Sequence, residues 1–304
     1  MKPLPLPSLR PVTTGPRVRV VLDTDTFNEV DDQFALAHLL LSPARISLEA
    51  VYAAPFFNPR SASPADGMEK SHEEIHRVLD LVAPAIRPAV FRGATAYLPD
   101  ARTPVPSAAV EDLIARALAT PEGETLYVLA IAAATNIASA LLAEPRIAGR
   151  ITIVWLGGNA PYWHHTREFN LEQDPHAARV LLDTEVPLVL IPCHPVASHI
   201  ITTVAELEAL LAPHSRLGAY LTDIVRGYVG NPPGWAKVIW DISASAWLID
   251  PESVLTAEAP SPVLKDDLTW ENPPGRRVIR IAREVKRNRI FADFFAKAGV
   301  SDIR

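Results

Sequence analysis

The sequence predicts an α/β fold: a single domain on a mainly parallel, open, Rossmann-like sheet, with extra helices toward the C-terminus. Short apolar, β-branched runs alternate with helical stretches along the chain, a pattern typical of parallel strands covered by helices. A hydrophobic fraction of 48% in 304 residues is enough to bury one large core. No change of composition and no Gly/Ser-rich linker divides residues 17–304, so we expect one domain there.

The elements follow from these runs in chain order. Short apolar runs predict strands at residues 18–22, 47–53, 126–131, 151–156 and 188–191. Helical patterns predict helices at residues 31–41, 70–81, 110–119, 136–142 and 174–183. Beyond Thr203 we expect a more helical region with helices at residues 205–211, 217–228 and 237–249, then two strands and a terminal helix near residues 291–298.

Composition limits the classes of function. A net charge of −6 gives no electrostatic reason to expect a nucleic-acid partner, and no apolar run reaches the length of a membrane span. Residues 1–16 are proline-rich and lack the apolar centre of a signal peptide, so we expect a flexible tail there. The single cysteine, Cys193, excludes an intramolecular disulfide. We therefore expect a cytoplasmic protein whose partner is a small molecule.

Four aspartates lie within ten residues at the end of the first predicted strand: Asp23, Asp25, Asp31 and Asp32. Carboxylates repel one another, so such a cluster is costly unless a cation lies among them. Capping of the next helix by Asn28 or Asp31 would explain one or two acids, but not the acids that follow the apolar run directly. The cluster predicts a hard divalent metal, Ca²⁺ or Mg²⁺, at the carboxyl end of a strand, where open α/β sheets bind their ligands.

Three later segments add candidate polar groups. A strand ending at Ile131 runs through small residues into a helix, and a free carbonyl there is a possible neutral metal ligand. The Gly157-Gly158 turn, with Asn159, precedes Glu168 and Asn170 in a loop suited to hydrogen bonding with sugar hydroxyls. Asp241 lies among apolar residues and needs a partner or a metal if it is buried, although it is also placed to cap a helix.

Taken together, these segments resemble the inosine–uridine-preferring nucleoside hydrolase (N-ribohydrolase) family. The shared motifs occur in the family's order over residues 18–300: Asp23-Thr24-Asp25, Asp31-Asp32, Ala134-Thr135-Asn136-Ile137, Gly157-Gly158, Glu168-Phe169-Asn170, Asp174-Pro175 and Asp241. The resemblance implies the nucleoside hydrolase fold, a bound Ca²⁺ at the carboxyl ends of the strands, and a homodimer or homotetramer.

The resemblance also implies residue roles. Asp25, Asp32 and Asp241 would supply carboxylates to Ca²⁺, and Ile131 would supply a backbone carbonyl. Asp25 would double as the base that activates a Ca²⁺-bound water for attack on C1′ of a ribonucleoside or another ribosylated substrate. The predicted substrate-binding residues are Asp31, Asn58, Asn159, Glu168, Asn170 and Trp240.

The chain departs from the family pattern at two places that affect these roles. Five residues, Thr26 to Val30, separate Asp25 from Asp31, where the family has three. Several members have a histidine before the late aspartate that can protonate the leaving base, and this chain has Trp240 there. The candidates for contact with the leaving group are then His164, His165 and Tyr162.

Two alternatives remain open. The run ending in Asp23-Thr24-Asp25-Thr26 also fits a haloacid-dehalogenase-type, Mg²⁺-dependent phosphohydrolase, with Asp23 as the nucleophile and Asp25 as the acid/base. That enzyme also requires a later lysine and acidic pair, which only Lys265-Asp266-Asp267 offers. The second alternative is a Ca²⁺-stabilised ribose-binding protein without turnover, supported by Trp240 and opposed by the retention of Asp25.

Overall fold

The computed structural model describes residue 9, residues 17–229 and residues 232–299. The predicted tail over residues 1–16 lies outside the described residues, except for Leu9. The division into a tail and one domain stays a prediction. Among the described residues, no helix is both long and apolar enough to cross a bilayer.

One eight-stranded sheet forms the centre of the molecule, in the order β3-β2-β1-β4-β5-β6-β12-β9. Seven strands are mutually parallel, and the edge strand β9 runs antiparallel to β12. Their bounds are β1 Val18–Thr24, β2 Ile46–Ala53, β3 Ala89–Arg92, β4 Leu126–Ala130, β5 Ile151–Leu156, β6 Leu188–Ile191, β9 Val254–Pro260 and β12 Val278–Val285. The predicted mainly parallel α/β sheet is confirmed.

Two small antiparallel pairs lie outside this sheet. They are β7 Ile201–Thr202 with β8 Lys237–Val238, and β10 Val263–Leu264 with β11 Trp270–Glu271. The helix predicted over residues 237–249 is wrong at its start, because Lys237 and Val238 pair with the β7 strand and the helix begins only at Ile242.

The described helices flank the large sheet and match the sequence pattern closely. Their bounds are α1 Asp32–Leu40, α2 Pro64–Val82, α3 Ala108–Ala119, α4 Thr135–Ala143, α5 Phe169–Gln173, α6 Pro175–Asp183, α7 Val204–Leu210, α8 Arg216–Val229, α9 Ile242–Ile249 and α10 Arg287–Ala298. The α2 helix begins six residues before the predicted start because Ser63 caps it, accepting a hydrogen bond from the Asp66 N–H, and Pro64 occupies its first turn.

Burial on both faces of β1 explains why its sequence is apolar from Val20 to Leu22, after the half-buried Arg19. Val20 and Leu22 pack into one core layer with Phe34, while Val21 packs into the opposite layer with Leu113. Strands covered by helices on both faces read as unbroken hydrophobic runs. The first polar residues after this run, Asp23 to Thr26, are therefore delivered to the carboxyl edge of the sheet.

The position of β1 explains where a ligand can enter. Its neighbours are β2 on one side and β4 on the other, so the chain reverses its direction of winding at this strand. A crevice opens outside the carboxyl ends of the strands at such a switch point. Asp25 and the start of α1 lie at this crevice.

Candidate active site

A cavity of about 230 Å³ lies at the carboxyl ends of the central strands. Six carboxylic acids line it, together with aromatic and basic side chains. The lining residues are Asp25, Asn28, Glu29, Asp31, Asp32, Ile131, Leu156, Arg167, Glu168, Phe169, Asn170, Cys193, His194, Trp240 and Asp241. The structure thus brings together all four predicted metal ligands and four of the six predicted substrate-binding residues.

Three of these acids form a compact group. One carboxylate oxygen from each of Asp31, Asp32 and Asp241 lies within 4.8 Å of the others, and all three residues are buried. Asp32 also accepts a hydrogen bond from the Thr24 hydroxyl, which fixes its orientation at the start of α1. Oxygens this close and this buried are the ligand set that a hard divalent cation prefers.

Asp25 lies beside this group with its charge unpaired. It is 1% exposed, and neither of its carboxylate oxygens has a hydrogen-bond partner among the described residues. Burial, followed by repulsion from Asp32 and Asp31, raises the pKa of Asp25 well above its usual value. A buried carboxylate without a partner is costly, so these residues fit a divalent cation, which would satisfy the free oxygens.

The other two carboxylates show the same effect. Burial, followed by repulsion from Asp31, raises the pKa of Asp32 to about 7, and burial with repulsion from Asp32 raises that of Asp241 well above its usual value. Both shifts oppose ionisation. A cation among the carboxylates would reverse this preference and keep them ionised.

Asp31 differs from Asp25 because both of its oxygens are held. Its Oδ2 accepts a hydrogen bond of 3.0 Å from the Trp240 N–H, and its Oδ1 lies 3.2 Å from Nζ of Lys237. Lys237 also pairs with Glu29, in the loop between Asp25 and Asp31 that is longer than the family pattern. Lys237 is only 5% exposed. Burial opposes its charge, but Asp31 and Glu29 raise its pKa overall, so Lys237 keeps a positive charge beside the acidic cavity and ties the long loop to Asp31.

Asp23 faces away from the cavity. It is fully buried, its Oδ1 accepts a hydrogen bond of 2.8 Å from Nδ2 of Asn136, and it is not a lining residue. Asn136 in turn accepts a hydrogen bond from the Ala94 N–H. Asp23 therefore ties β1 to the start of α4, which is a structural role.

Glu168 lines the cavity but also acts as the N-cap of α5. Its carboxylate accepts hydrogen bonds from the N–H groups of Gly158, Asn170 and Leu171 at 2.7–3.2 Å. Burial raises the pKa of Glu168 to about 7 despite these donors. Asn170 is held by donation of its Nδ2 to the Leu156 carbonyl. Both predicted sugar ligands thus lie in the cavity on a rigid support.

Two predicted substrate ligands lie elsewhere. Asn58 hydrogen-bonds the Asn28 side chain at 2.6 Å and is not among the lining residues. Asn159 is fully buried; its Nδ2 donates to the carbonyls of His165 and Arg167, and its Oδ1 accepts from the His194 N–H. The structure gives both asparagines the role of fastening loops around the cavity.

The predicted leaving-group contacts also lie outside the cavity lining. Tyr162 is 60% exposed, His164 is exposed, and Nδ1 of His165 accepts a hydrogen bond from the Arg167 N–H. The histidine that lines the cavity is His194, which sequence reasoning passed over. Its position three residues after the end of the predicted parallel strand at residues 188–191 was the available signal, because such positions face the ligand crevice.

Comparison with known proteins agrees with this geometry. A sequence model of the inosine-uridine preferring nucleoside hydrolases matches residues 20–292. The chain belongs to this family. The pyrimidine-specific ribonucleoside hydrolase RihA of Escherichia coli (strain SMS-3-5 / SECEC) is 29% identical to this nucleoside hydrolase family member over 161 residues, 48% of this chain and 49% of RihA. RihA of Shigella boydii serotype 4 (strain Sb227) matches at the same identity and coverage. The chain thus spans about half the length of the curated relatives it matches.

Solved structures of nucleoside hydrolases share the fold over nearly the whole chain. The plant nucleoside hydrolase PpNRh1 superposes with a TM-score of 0.75 at 18% identity, covering 93% of this chain and 99% of the plant enzyme. The purine-preferring ribonucleoside hydrolase from Gardnerella vaginalis gives a TM-score of 0.72 at 21% identity, covering 94% of this chain and all of that enzyme. At these identities the likeness establishes the fold.

The residues that a haloacid-dehalogenase-type site would need do not come together in this structure. Asp23, the nucleophile in that alternative, is buried against Asn136 and does not reach the cavity. Lys265 and Asp267 form a surface ion pair at 3.3 Å, and neither lines the cavity. The acids that do line it, Asp241 and Glu168 among them, have no role in the phosphatase alternative.

Proposed function

We propose that this protein hydrolyses the N-glycosidic bond of ribonucleosides, releasing a free base and ribose, with Ca²⁺ held by Asp25, Asp32, Asp241 and the Ile131 carbonyl. The observation that carries the proposal is the unpaired, buried Asp25 beside the Asp31–Asp32–Asp241 group, in the ligand crevice of a nucleoside hydrolase family member. The cavity, of about 230 Å³, is smaller than the range of about 300–1,000 Å³ typical of drug-sized ligands, which suits a compact riboside.

The roles of the side chains follow from their contacts. Ca²⁺, when bound, would lower the pKa of a coordinated water and hold sugar hydroxyls. Asp25 is placed to take the proton of the attacking water, because its oxygens are otherwise unpartnered. Asp31, held in place by Lys237 and the Trp240 N–H, and Asn170, held by Leu156, would bind ribose hydroxyls and orient C1′ toward the water.

The negative charge of the cavity also fits the reaction. Loss of the base leaves positive charge on the ribosyl group, in a transition state resembling an oxocarbenium ion. Ionised Asp25 and Asp31, facing the sugar in a largely buried site, would offset that charge. Hydrolysis of the glycosidic bond thus uses the acids in the ionised state that a bound cation favours.

The test is ribose release from a panel of purine and pyrimidine ribonucleosides, with and without exhaustive chelation of Ca²⁺. We expect release from at least one nucleoside, loss of release on chelation, and recovery when Ca²⁺ is added back. Asp25→Asn should lower kcat by about 10²- to 10⁴-fold, the usual contribution of a general base. The matched control is Asp23→Asn, which alters a buried carboxylate two residues away and outside the cavity.

The outcomes separate an enzyme from a binding protein. A ribose-binding protein without turnover would release no ribose from any nucleoside while still binding Ca²⁺, measured by calorimetry. Equal loss of activity in the Asp25 and Asp23 variants would mean that the carboxylates matter only for folding. Homodimer or homotetramer formation and the cytoplasmic location stay predictions.

A further inference from the structure

His194 stands out among the cavity residues because its imidazole is unpaired. It follows β6, lines the cavity, and makes no hydrogen bond through its ring to another described residue. Cys193 beside it is buried, and burial followed by repulsion from Glu168 raises the pKa of its thiol well above the usual value. His165 has its Nδ1 occupied by the Arg167 N–H. Among the histidines of the described residues, His194 alone lines the cavity.

The ring of His194 is positioned from two sides. It stacks on Trp163 with a centroid distance of 5.9 Å and an interplanar angle of 12°, and it meets Trp240 edge-on at 5.2 Å and 74°. These contacts leave the ring nitrogens free while limiting the ring's rotation. His194 and Trp240 therefore present aromatic rings to the cavity, with Trp163 stacked on His194.

The backbone of His194 is fixed as firmly as its ring. Its N–H donates to Oδ1 of Asn159 at 3.0 Å, and its carbonyl accepts from the Ala160 N–H at 2.8 Å. Asn159 is itself fully buried and anchored to the carbonyls of His165 and Arg167. The asparagine predicted to bind substrate is thus a positioning residue for His194.

The cavity lining combines carboxylates with aromatic rings, two chemistries that suit the two parts of a riboside. The sugar, with several hydroxyls, would pair with Asp31 and Asn170 beside the carboxylates of Asp25 and Asp32. The flat base then faces Trp240 and His194, where ring stacking and edge contacts are available. Resting on the proposed function, we propose that His194 is a catalytic residue that protonates the departing base of an aromatic N-riboside.

In this step water is added across the C1′–N bond of the riboside. The C1′–N bond breaks and its electron pair stays on the base nitrogen, while the water oxygen forms a bond to C1′. A ring N–H of the His194 imidazolium transfers its proton to a nitrogen of the base, and the water proton passes to Asp25. The neutral imidazole regains a proton from solvent and Asp25 releases its proton to solvent, so the net change is the addition of water across the bond. Partial burial and the neighbouring His165 lower the pKa of His194, which makes its imidazolium the stronger acid.

The test compares two leaving groups in one protein. On a nucleoside that the wild type hydrolyses, His194→Gln should lower kcat by about 10²- to 10⁴-fold, the usual contribution of a general acid. On p-nitrophenyl β-D-riboside, whose phenolate leaves without protonation, kcat should stay close to that of the wild type. The matched control, His164→Gln, alters an exposed histidine outside the cavity and should leave both rates unchanged.

A second variant guards against a folding defect. Asn159→Ala removes the acceptor of the His194 N–H but keeps the imidazole, and it should reduce nucleoside turnover while sparing the p-nitrophenyl riboside. Equal losses on both substrates in His194→Gln, or no loss on the nucleoside, would overturn the proposal. If the wild type hydrolyses both substrates and Asp25→Asn loses activity on both, the proposed function holds whatever the result for His194. If the wild type hydrolyses neither substrate, the proposed function and the role of His194 are both overturned.

Discussion

Replacement of Lys237 by methionine should destabilise the protein far more than loss of an ordinary ion pair. Lys237 is 5% exposed, its Nζ pairs with Glu29 and lies 3.2 Å from Oδ1 of Asp31, and it faces the Tyr228 ring at 5.5 Å. Methionine keeps most of the apolar stem but removes the charge. Buried Asp31, 3% exposed, and Glu29, 34% exposed, then lose their cation. Breaking a buried pair such as Lys237–Asp31 costs about 3–5 kcal/mol.

The assay is equilibrium urea unfolding followed by tryptophan fluorescence, with Ca²⁺ present throughout. Lys70→Met is the matched control, because Lys70 pairs with Asp66 at 2.7 Å but both side chains are about one-third exposed, at 35% and 36%. An exposed pair contributes only about 0.2–1 kcal/mol. We therefore expect the Lys237 variant to lose several times more free energy of unfolding than the Lys70 variant.

A double-mutant cycle tests the physical reason. Glu29→Gln removes one of the two carboxylates that face Lys237, so the double variant Glu29→Gln/Lys237→Met should recover part of the loss. The Asp31 partner remains unpaired, so recovery should be incomplete. If Lys237→Met costs no more than Lys70→Met, or if the cycle shows no coupling, Lys237 is not the charge that balances these acids.

The remaining predictions concern the supports of the site. Burial raises the pKa of Asp23 from 3.8 to about 7. Between these two pH values Asp23 is protonated in the native state and ionised in the unfolded state, so the free energy of unfolding falls as pH rises from 3.8 to about 7. Asp23→Asn should remove this fall, which amounts to about 4 kcal/mol at most. Urea unfolding across this pH range measures it, and the same dependence of unfolding free energy on pH in the variant would show that Asp23 is not the group that titrates. Gly158→Ala should lower the free energy of unfolding by more than about 1 kcal/mol, because φ is +62° and the new Cβ would lie 2.6 Å from Thr166 Oγ1. Gly123→Ala, at φ +86° with open space around it, is the control and should lose less. Chelation of Ca²⁺ should lower the midpoint temperature of thermal unfolding. Adding Ca²⁺ at about 100 times its dissociation constant should restore about 2.7 kcal/mol of unfolding free energy, and a midpoint that chelation does not change would mean that the acids bind no metal.

The fold was predictable where one local signal dominates. The bounds of β5 and β6 agree with the predicted strands, since both are mostly apolar and each ends where a glycine or a proline follows. The strands β9 and β12 were expected only in outline, because β9 is mostly exposed or half-buried, β12 mixes buried with exposed residues, and both include charged side chains. Lys237 and Val238 look helical by pattern, yet pairing with Ile201 and Thr202 decides their structure.

The site was predictable where its residues are close in sequence. Asp25, Asp31 and Asp32 gather at one strand end, and their mutual repulsion alone calls for a cation. Lys237 and His194 escaped notice because their partners lie far along the chain: Lys237 meets Glu29 across 208 positions, and His194 meets Trp240 and Asn159 through folding alone. Asn159 was expected to bind substrate because a polar residue at a Gly-Gly turn is ambiguous until its burial is known.

The distribution of charge gives the cavity a direction. Asp25, Asp32 and Asp241 supply carboxylates to its lining, and Trp240, His194 and Phe169 supply aromatic rings. A riboside bound in reverse would press an apolar base against buried carboxylates and leave its hydroxyls facing aromatic rings, so both ends would lose hydrogen bonds that water had supplied. One orientation would satisfy both ends, and in the proposed mechanism the C1′–N bond would then lie between Asp25, whose oxygens have no partner among the described residues, and His194, whose ring makes no hydrogen bond to them.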